Sequence, residues 1–201
     1  TGELCYRGRH IFMGYMYMPE TTAQTIDSEG YLHSGDVAEF DNNTHPNIPA
    51  PSGFMKITGR IKELIITAGG ENVPPVLIEQ DMKTAIPAIS NCMVIGDRRK
   101  FLTILFTLMV EADEQGVPSN RLTGLSLETS RRIGSSATTT GEARECALWK
   151  KHFDDGVKAA NAKTTSRAQI VQKWALLDGD FSERGGELTP TLKLKRSVAA
   201  A

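Results

Sequence analysis

Apolar positions along this chain come first in short alternating runs and then in longer ones, with the change near residue 60. In the first part, β-like stretches at 4–7, 37–40 and 54–57 are separated by Gly, Pro and Asn, the pattern of strands joined by turns. Asp27-Ser28-Glu29-Gly30 reads as a turn before Tyr31, and the proline- and asparagine-rich stretch 41–52 as a surface loop. Beyond Arg60, residues 63–68 form a β-branched run that predicts a strand. Gly69-Gly70-Glu71-Asn72 predicts a turn, and Pro74-Pro75 pre-sets the entry to a helix ending near Ile86. Within that helix Val76, Ile78, Met82, Ala85 and Ile86 follow the helical period.

The second part continues with strands predicted at 92–96 and 102–110, joined by the turn Asp97-Arg98-Arg99-Lys100. Residues 111–142 are polar, with a short helix predicted at 127–133. Cys146, Trp149, Phe153 and Val157 are spaced by three, four and four, which puts them on one face of an amphipathic helix. A last β-like run at 174–177 precedes a loop at 182–187. Strands and helices interleave without a βαβ rhythm, so the fold class predicted is α+β.

Composition narrows the chemistry. A chain of 201 residues, 40% hydrophobic and 23% charged, is globular material long enough for one good core or two smaller ones. The net charge of −1 gives no electrostatic reason for nucleic acid as a partner. Cys5, Cys92 and Cys146 are odd in number and far apart, which predicts free thiols in a reducing compartment. His10, His33, His45 and His152 are scattered without helical or hairpin ligand spacing, so no metal site is predicted. The apolar run 101–110 is about half the length needed to cross a bilayer and reads as a buried strand.

Four stretches carry more specific information: GELCYRGRHIFMGYM (2–16), YLHSGD (31–36), GRIKELIITAGGEN (59–72) and TPTLKLKR (189–196). Taken singly, each has a plain structural reading. Asp36 is a turn aspartate that satisfies its own backbone, Arg60 a surface partner of Glu63, and Lys62 a solvated lysine on a strand. Gly69-Gly70 is a hairpin turn, and Lys193, Lys195 and Arg196 form a solvated basic patch.

In this order and at these separations the four stretches resemble the C-terminal motifs of the adenylate-forming superfamily, and among its members the long-chain acyl-CoA synthetases of the bubblegum type. The resemblance covers essentially the whole chain. It implies the end of a large β-rich AMP-binding domain at 1–60, then a small mobile α+β C-terminal domain at 61–201 with its hinge near Lys62. Asp36 is then expected on the ATP ribose hydroxyls, and Arg60 on the ribose and phosphate. Gly69 and Gly70 are expected beside the pantetheine arm of CoA. Lys193 is the expected catalytic lysine, bridging the substrate carboxylate and the α-phosphate.

Two positions depart from the pattern: some relatives have Lys where this chain has Ile66, and many have Gly where it has Leu192. The implied function is a long-chain fatty-acid–CoA ligase that adenylates a fatty acid with ATP and then forms the thioester with CoA, releasing AMP and pyrophosphate. Other adenylate-forming enzymes, peptide-synthetase-like or luciferase-like, share the motif skeleton. A non-catalytic nucleotide-binding module is the alternative from another class. No Gly-x-Gly-x-x-Gly or Gly-Lys-Ser/Thr stretch occurs in the chain, and it starts at Thr1 without Met. The expectation is therefore part of a larger enzyme, with the phosphate loop, the acyl pocket and the Mg²⁺ site outside it. The family implies a cytoplasmic enzyme, either free or peripheral at the cytosolic face of the endoplasmic reticulum, with no obligate protein partner.

Overall fold

The computed structural model describes residues 2–41 and 54–199. The loop expected at 41–52 lies, apart from Asp41, outside the described residues, as does His45. The chain divides into two compact units, Thr1–Leu64 and Ile65–Ala201, so the boundary falls between Leu64 and Ile65 where the expectation was 60/61.

The first unit holds strand β1 (Gly2–Tyr6), helix α1 (Pro19–Thr25), and strands β2 (Leu32–Asp41) and β3 (Phe54–Arg60). The three strands form an antiparallel sheet in the order β1-β2-β3. Helix α1, not expected from sequence, starts at Pro19, whose fixed φ and missing N–H suit a first helical position. The predicted turn before Tyr31 is present: Asp27 Oδ1 accepts the amides of Glu29 and Tyr31, both at 2.9 Å. β2 begins well before the predicted residue 37, because β1 and β3 pair with it on both sides and carry the His33–Asp36 segment into the sheet.

The second unit opens with a two-stranded hairpin of β4 (Ile65–Ile66) and β5 (Asn72–Val73). This corrects the strand expected at 63–68: residues 61–63 form a single 3-10 turn, and Thr67 folds back to bond Glu71 and Gly70. Helix α2 (Pro75–Ala85) follows, then β6 (Ile89–Ile95) and β7 (Leu102–Leu108). The polar stretch 111–142 is more ordered than predicted, with a hairpin of β8 (Val110–Ala112) and β9 (Pro118–Leu122), then α3 (Gly124–Arg132) and α4 (Thr140–Glu145). The amphipathic helix is α5 (Ala147–Asn161), the final strand β10 (Val171–Leu176), and α6 (Arg196–Ala199) ends the described chain.

The main sheet runs β10-β7-β6, with β6 antiparallel and β10 parallel to β7. Its core is made by the periodic residues of the two long helices. Ile78, Met82 and Ile86 from the α2 segment meet Trp149, Phe153 and Val157 of α5 over Ile104 and Phe106 of β7. Phe106 and Phe153 stack with centroids 5.2 Å apart. A Cβ on Gly156 would lie 2.2 Å from Ile86 Cγ1, so a glycine is what lets α5 approach α2 this closely. Both units bear out the α+β fold.

Candidate functional site

Pairing of β2 with β3 puts Asp36 directly opposite Arg60, and the guanidinium Nε–H donates to Asp36 Oδ1 at 3.1 Å. The two residues were expected at one nucleotide, and their 24 residues of separation close in the sheet itself. The Asp36 carboxylate is directed at Arg60; its own amide donates to Ser34 Oγ at 3.0 Å, so the serine, not the aspartate, serves the local backbone. Asp36 and Arg60 keep side-chain exposures of 24% and 56%, which leaves both reachable by a ligand.

A cleft of about 690 Å³ adjoins the pair. It is lined by Arg60, Ile61, Lys62 and Glu63 on one side, by His33, Ser34, Gly35 and Glu3 on another, and by Thr21, Gln24 and Thr25 of α1. Lys62 is exposed and sits in the 3-10 turn Ile61–Glu63, not on a strand, just before the boundary between the units.

Behind the pair lies a polar network that the sequence reading did not anticipate. Glu3 Oε1 accepts the Gly35 amide at 2.9 Å, and its Oε2 meets His33 Nδ1 at 2.8 Å. His33 Nε2 lies 3.4 Å from Asp27 Oδ2. The hydrogen bond from His33 holds the Glu3 carboxyl below its ordinary value, and the contacts with Glu3 and then Asp27 raise the His33 imidazole above its own. For Asp27 the leading cause of a lowered value is the Tyr31 amide. Gly35, at φ +74°, lies in the left-handed region that glycine favours, in the stretch where β2 loses register with β1.

The remaining expected site residues lie in the second unit, on two separate turns. Gly69 and Gly70 connect β4 to β5; Gly70 has φ +79° and its amide donates to Thr67 O at 2.9 Å. A Cβ on Gly69 would meet nothing nearer than Thr67 Oγ1 at 3.8 Å, so the fold itself does not require glycine there. Ile66 is half exposed in β4.

Lys193 is exposed on a turn closed at its base. The Thr189 amide donates to Lys193 O at 2.8 Å, the Lys193 amide to Thr189 Oγ1 at 3.0 Å, and the Leu192 amide to Thr189 O at 2.8 Å. Leu192 has φ +59°, the left-handed conformation that glycine favours. The basic-patch reading loses one member: Arg196 forms a two-pronged pair with Glu79 of α2, both contacts at 2.7 Å, at side-chain exposures of 23% and 13%. Glu79 Oε1 also accepts the Val94 amide at 2.8 Å, so the segment carrying Lys193 is tied to both α2 and β6.

Residues 62–175 match the family model described as the AMP-binding enzyme C-terminal domain. Across its whole length the chain is 48% identical to the long-chain-fatty-acid–CoA ligase ACSBG2 of Xenopus laevis, of which it covers 26%. It is 47% identical to the human ligase ACSBG1, with 97% of this chain and 26% of the relative aligned. The chain thus spans about a quarter of the length of these relatives. Among solved structures, the adenylation domain of a carboxylate reductase from Mycobacterium chelonae superposes on 98% of the chain, and the chain on 25% of it, with a TM-score of 0.66 at 24% identity. The A-PCP didomain of the carboxylic acid reductase from Segniliparus rugosus does so with a TM-score of 0.67 at 21% identity, covering 98% of this chain and 23% of its own. With the family model spanning more than half of its residues, the chain belongs to the AMP-binding enzymes that carry this C-terminal domain.

Proposed function

We propose that the chain is the C-terminal part of a long-chain fatty-acid–CoA ligase. Fatty acid, ATP and CoA are the substrates, and AMP, pyrophosphate and acyl-CoA the products. The observation that carries this reading is the Asp36–Arg60 pair, in register across β2 and β3 at the edge of a cleft, in a chain so similar throughout to ligases of that name.

In the first step a carboxylate oxygen of the fatty acid attacks the α-phosphorus of ATP, the bond to the β-phosphate oxygen breaks, and pyrophosphate leaves. Asp36 accepts hydrogen bonds from the ribose hydroxyls, while Arg60 sets a fixed cationic fork against ribose and phosphate. Lys193 brings a cation to the point where two anions meet, which is where electrostatic stabilisation lowers the barrier most. In the second step the sulfur of CoA attacks the acyl carbon and the bond to AMP breaks. Gly69 and Gly70 offer backbone without side chains to the pantetheine arm.

One arrangement serves both steps poorly, since a lysine bridging two anions obstructs the incoming thiol. Rotation about Lys62 resolves the conflict by presenting the two turns in succession. The nitrogen, sulfur and oxygen donors gathered at Glu3, Cys5 and His33 do not suit Mg²⁺, a hard ion that takes oxygen ligands. Its ligands in this reading lie outside the chain. None of the described helices is long and apolar enough to cross a membrane, and the proposed location is the cytoplasm or the cytosolic face of the endoplasmic reticulum.

The test is Lys193→Ala in the complete enzyme. Adenylation, followed by exchange of pyrophosphate into ATP, should slow by about a hundredfold or more, while thioester formation from supplied acyl-adenylate persists. Equal loss of both half-reactions would remove Lys193 from the proposed role.

A further inference from the structure

Strands β1 and β2 bring together three side chains whose chemistry is not used in the reaction above. Cys5 and His33 are directly paired across the two strands, and Glu3 lies two residues before Cys5. One donor atom from each of Glu3, Cys5 and His33 lies within 4.8 Å of the others. His33 Nδ1 is 2.8 Å from Glu3 Oε2 and 3.6 Å from Cys5 Sγ.

A carboxylate against an imidazole is by itself an ordinary ion pair. The thiol as a third donor changes the reading. In a tetrahedral zinc site, bonds of about 2.0 Å to nitrogen and 2.3 Å to sulfur place those two atoms roughly 3.5 Å apart. The sulfur–nitrogen separation here is 3.6 Å. The oxygen–nitrogen separation of 2.8 Å must open by only about half an ångström to reach the corresponding edge.

The supporting contacts are also of the kind that metal sites use. His33 Nε2 faces the Asp27 carboxylate, which fixes the ring and would leave Nδ1 free to bind. Asp27 is in turn held by the amides of Glu29 and Tyr31. The second oxygen of Glu3 accepts the Gly35 amide. Glu3 and His33 line the cleft, so a fourth coordination position would open onto it.

We propose that Glu3, Cys5 and His33 form a three-donor site for a thiophilic divalent cation of the zinc class, with Asp27 orienting His33 and a fourth position open to the cleft. Binding displaces to solvent the proton of the Cys5 thiol and the Nδ1 proton that His33 directs at Glu3, keeps the Nε2 proton on the Asp27 side, and leaves the metal oxidation state unchanged. Through Glu3 the site is tied to Gly35, the residue immediately before Asp36.

The experiment titrates Co²⁺ and then Zn²⁺ into the full chain. Co²⁺ should bind one to one, with the sulfur-to-cobalt charge-transfer band and the strong visible bands of a tetrahedral centre, and Zn²⁺ should displace it. Cys5→Ser should abolish the charge-transfer band, and His33→Ala should weaken binding further than Asp27→Asn. Asp27→Asn keeps the shape of the side chain and should weaken Zn²⁺ by roughly 10- to 100-fold. A charge-transfer band that survives Cys5→Ser would assign the sulfur to Cys92 or Cys146 and overturn the proposal. So would Zn²⁺ affinity unchanged in both Cys5→Ser and Asp27→Asn.

Discussion

Leu192 shows how a single dihedral can matter. Its φ of +59° is a conformation in which a Cβ crowds the following carbonyl, at roughly 1–2 kcal/mol for an L-residue. The residue is 72% exposed and so recovers little by packing. Leu192→Gly relieves the crowding while adding freedom to the unfolded chain. The net gain should therefore be below about 1 kcal/mol, a rise of roughly 1–3 °C in the unfolding midpoint; a lower midpoint would show that the turn is not strained. His152 offers a second test at this scale. Burial, and after it the charge of Arg132, lowers its pKa from 6.5, and its Nε2 has no hydrogen-bond partner among the described residues. Because the folded value lies below the unfolded one, unfolding takes up protons in this range. The contribution of His152 is present above pH 6.5 and is lost as pH falls from there towards the depressed folded value. The difference in thermal midpoint between wild type and His152→Gln should therefore narrow between pH 7 and 5.5, a window around that ordinary value; a constant difference would contradict it.

At the level of elements, the clearest device is the tie between Glu79 of α2 and Arg196, which ends the turn segment bearing Lys193. Arg196→Ala leaves a mostly buried carboxylate without its fork, at about 3 kcal/mol. Hydrogen exchange at residues 189–195 should accelerate, and, if Lys193 acts as proposed, adenylation by the complete enzyme should fall without any change at Lys193 itself. Arg196→Lys restores charge but not the planar pair and should recover only part of either effect. Exchange unchanged in Arg196→Ala would mean that the turn is held by its own hydrogen bonds alone. Elements with strong periodicity were legible in sequence: α2 and α5 lie where Ile78, Met82, Trp149 and Phe153 predict them. In the stretch 111–142 only the short helix expected at 127–133 was legible, found as α3 (Gly124–Arg132). The hairpin there has a polar face, and the capping box of Thr139 and Glu142 that starts α4 is hidden among other threonines. The Asp36–Arg60 pairing was expected from the motifs at one ligand. The cluster of Glu3, Cys5 and His33 was not, because the pairing of β1 with β2 is what joins residues 28 and 30 apart in sequence.

For the whole molecule, the boundary between Leu64 and Ile65 falls immediately after the 3-10 turn that contains Lys62. If rotation about that turn separates the two half-reactions, Lys62→Pro should preserve adenylation and slow thioester formation, since proline holds φ near about −65°. Wild-type multiple-turnover synthesis of acyl-CoA by this variant would rule the hinge out. A different consequence follows from the way the main sheet closes. β7, in sequence Leu-Thr-Ile-Leu-Phe-Thr-Leu, is its central strand, and the edge away from β6 is paired with β10, which arrives nearly seventy residues later. During synthesis the ribosome therefore releases β6 and β7 long before β7 acquires its second neighbour. Until Val171–Leu176 emerges, an apolar, hydrogen-bond-ready strand is open to any other extended chain, so a message interrupted upstream of that point would yield a product prone to self-association.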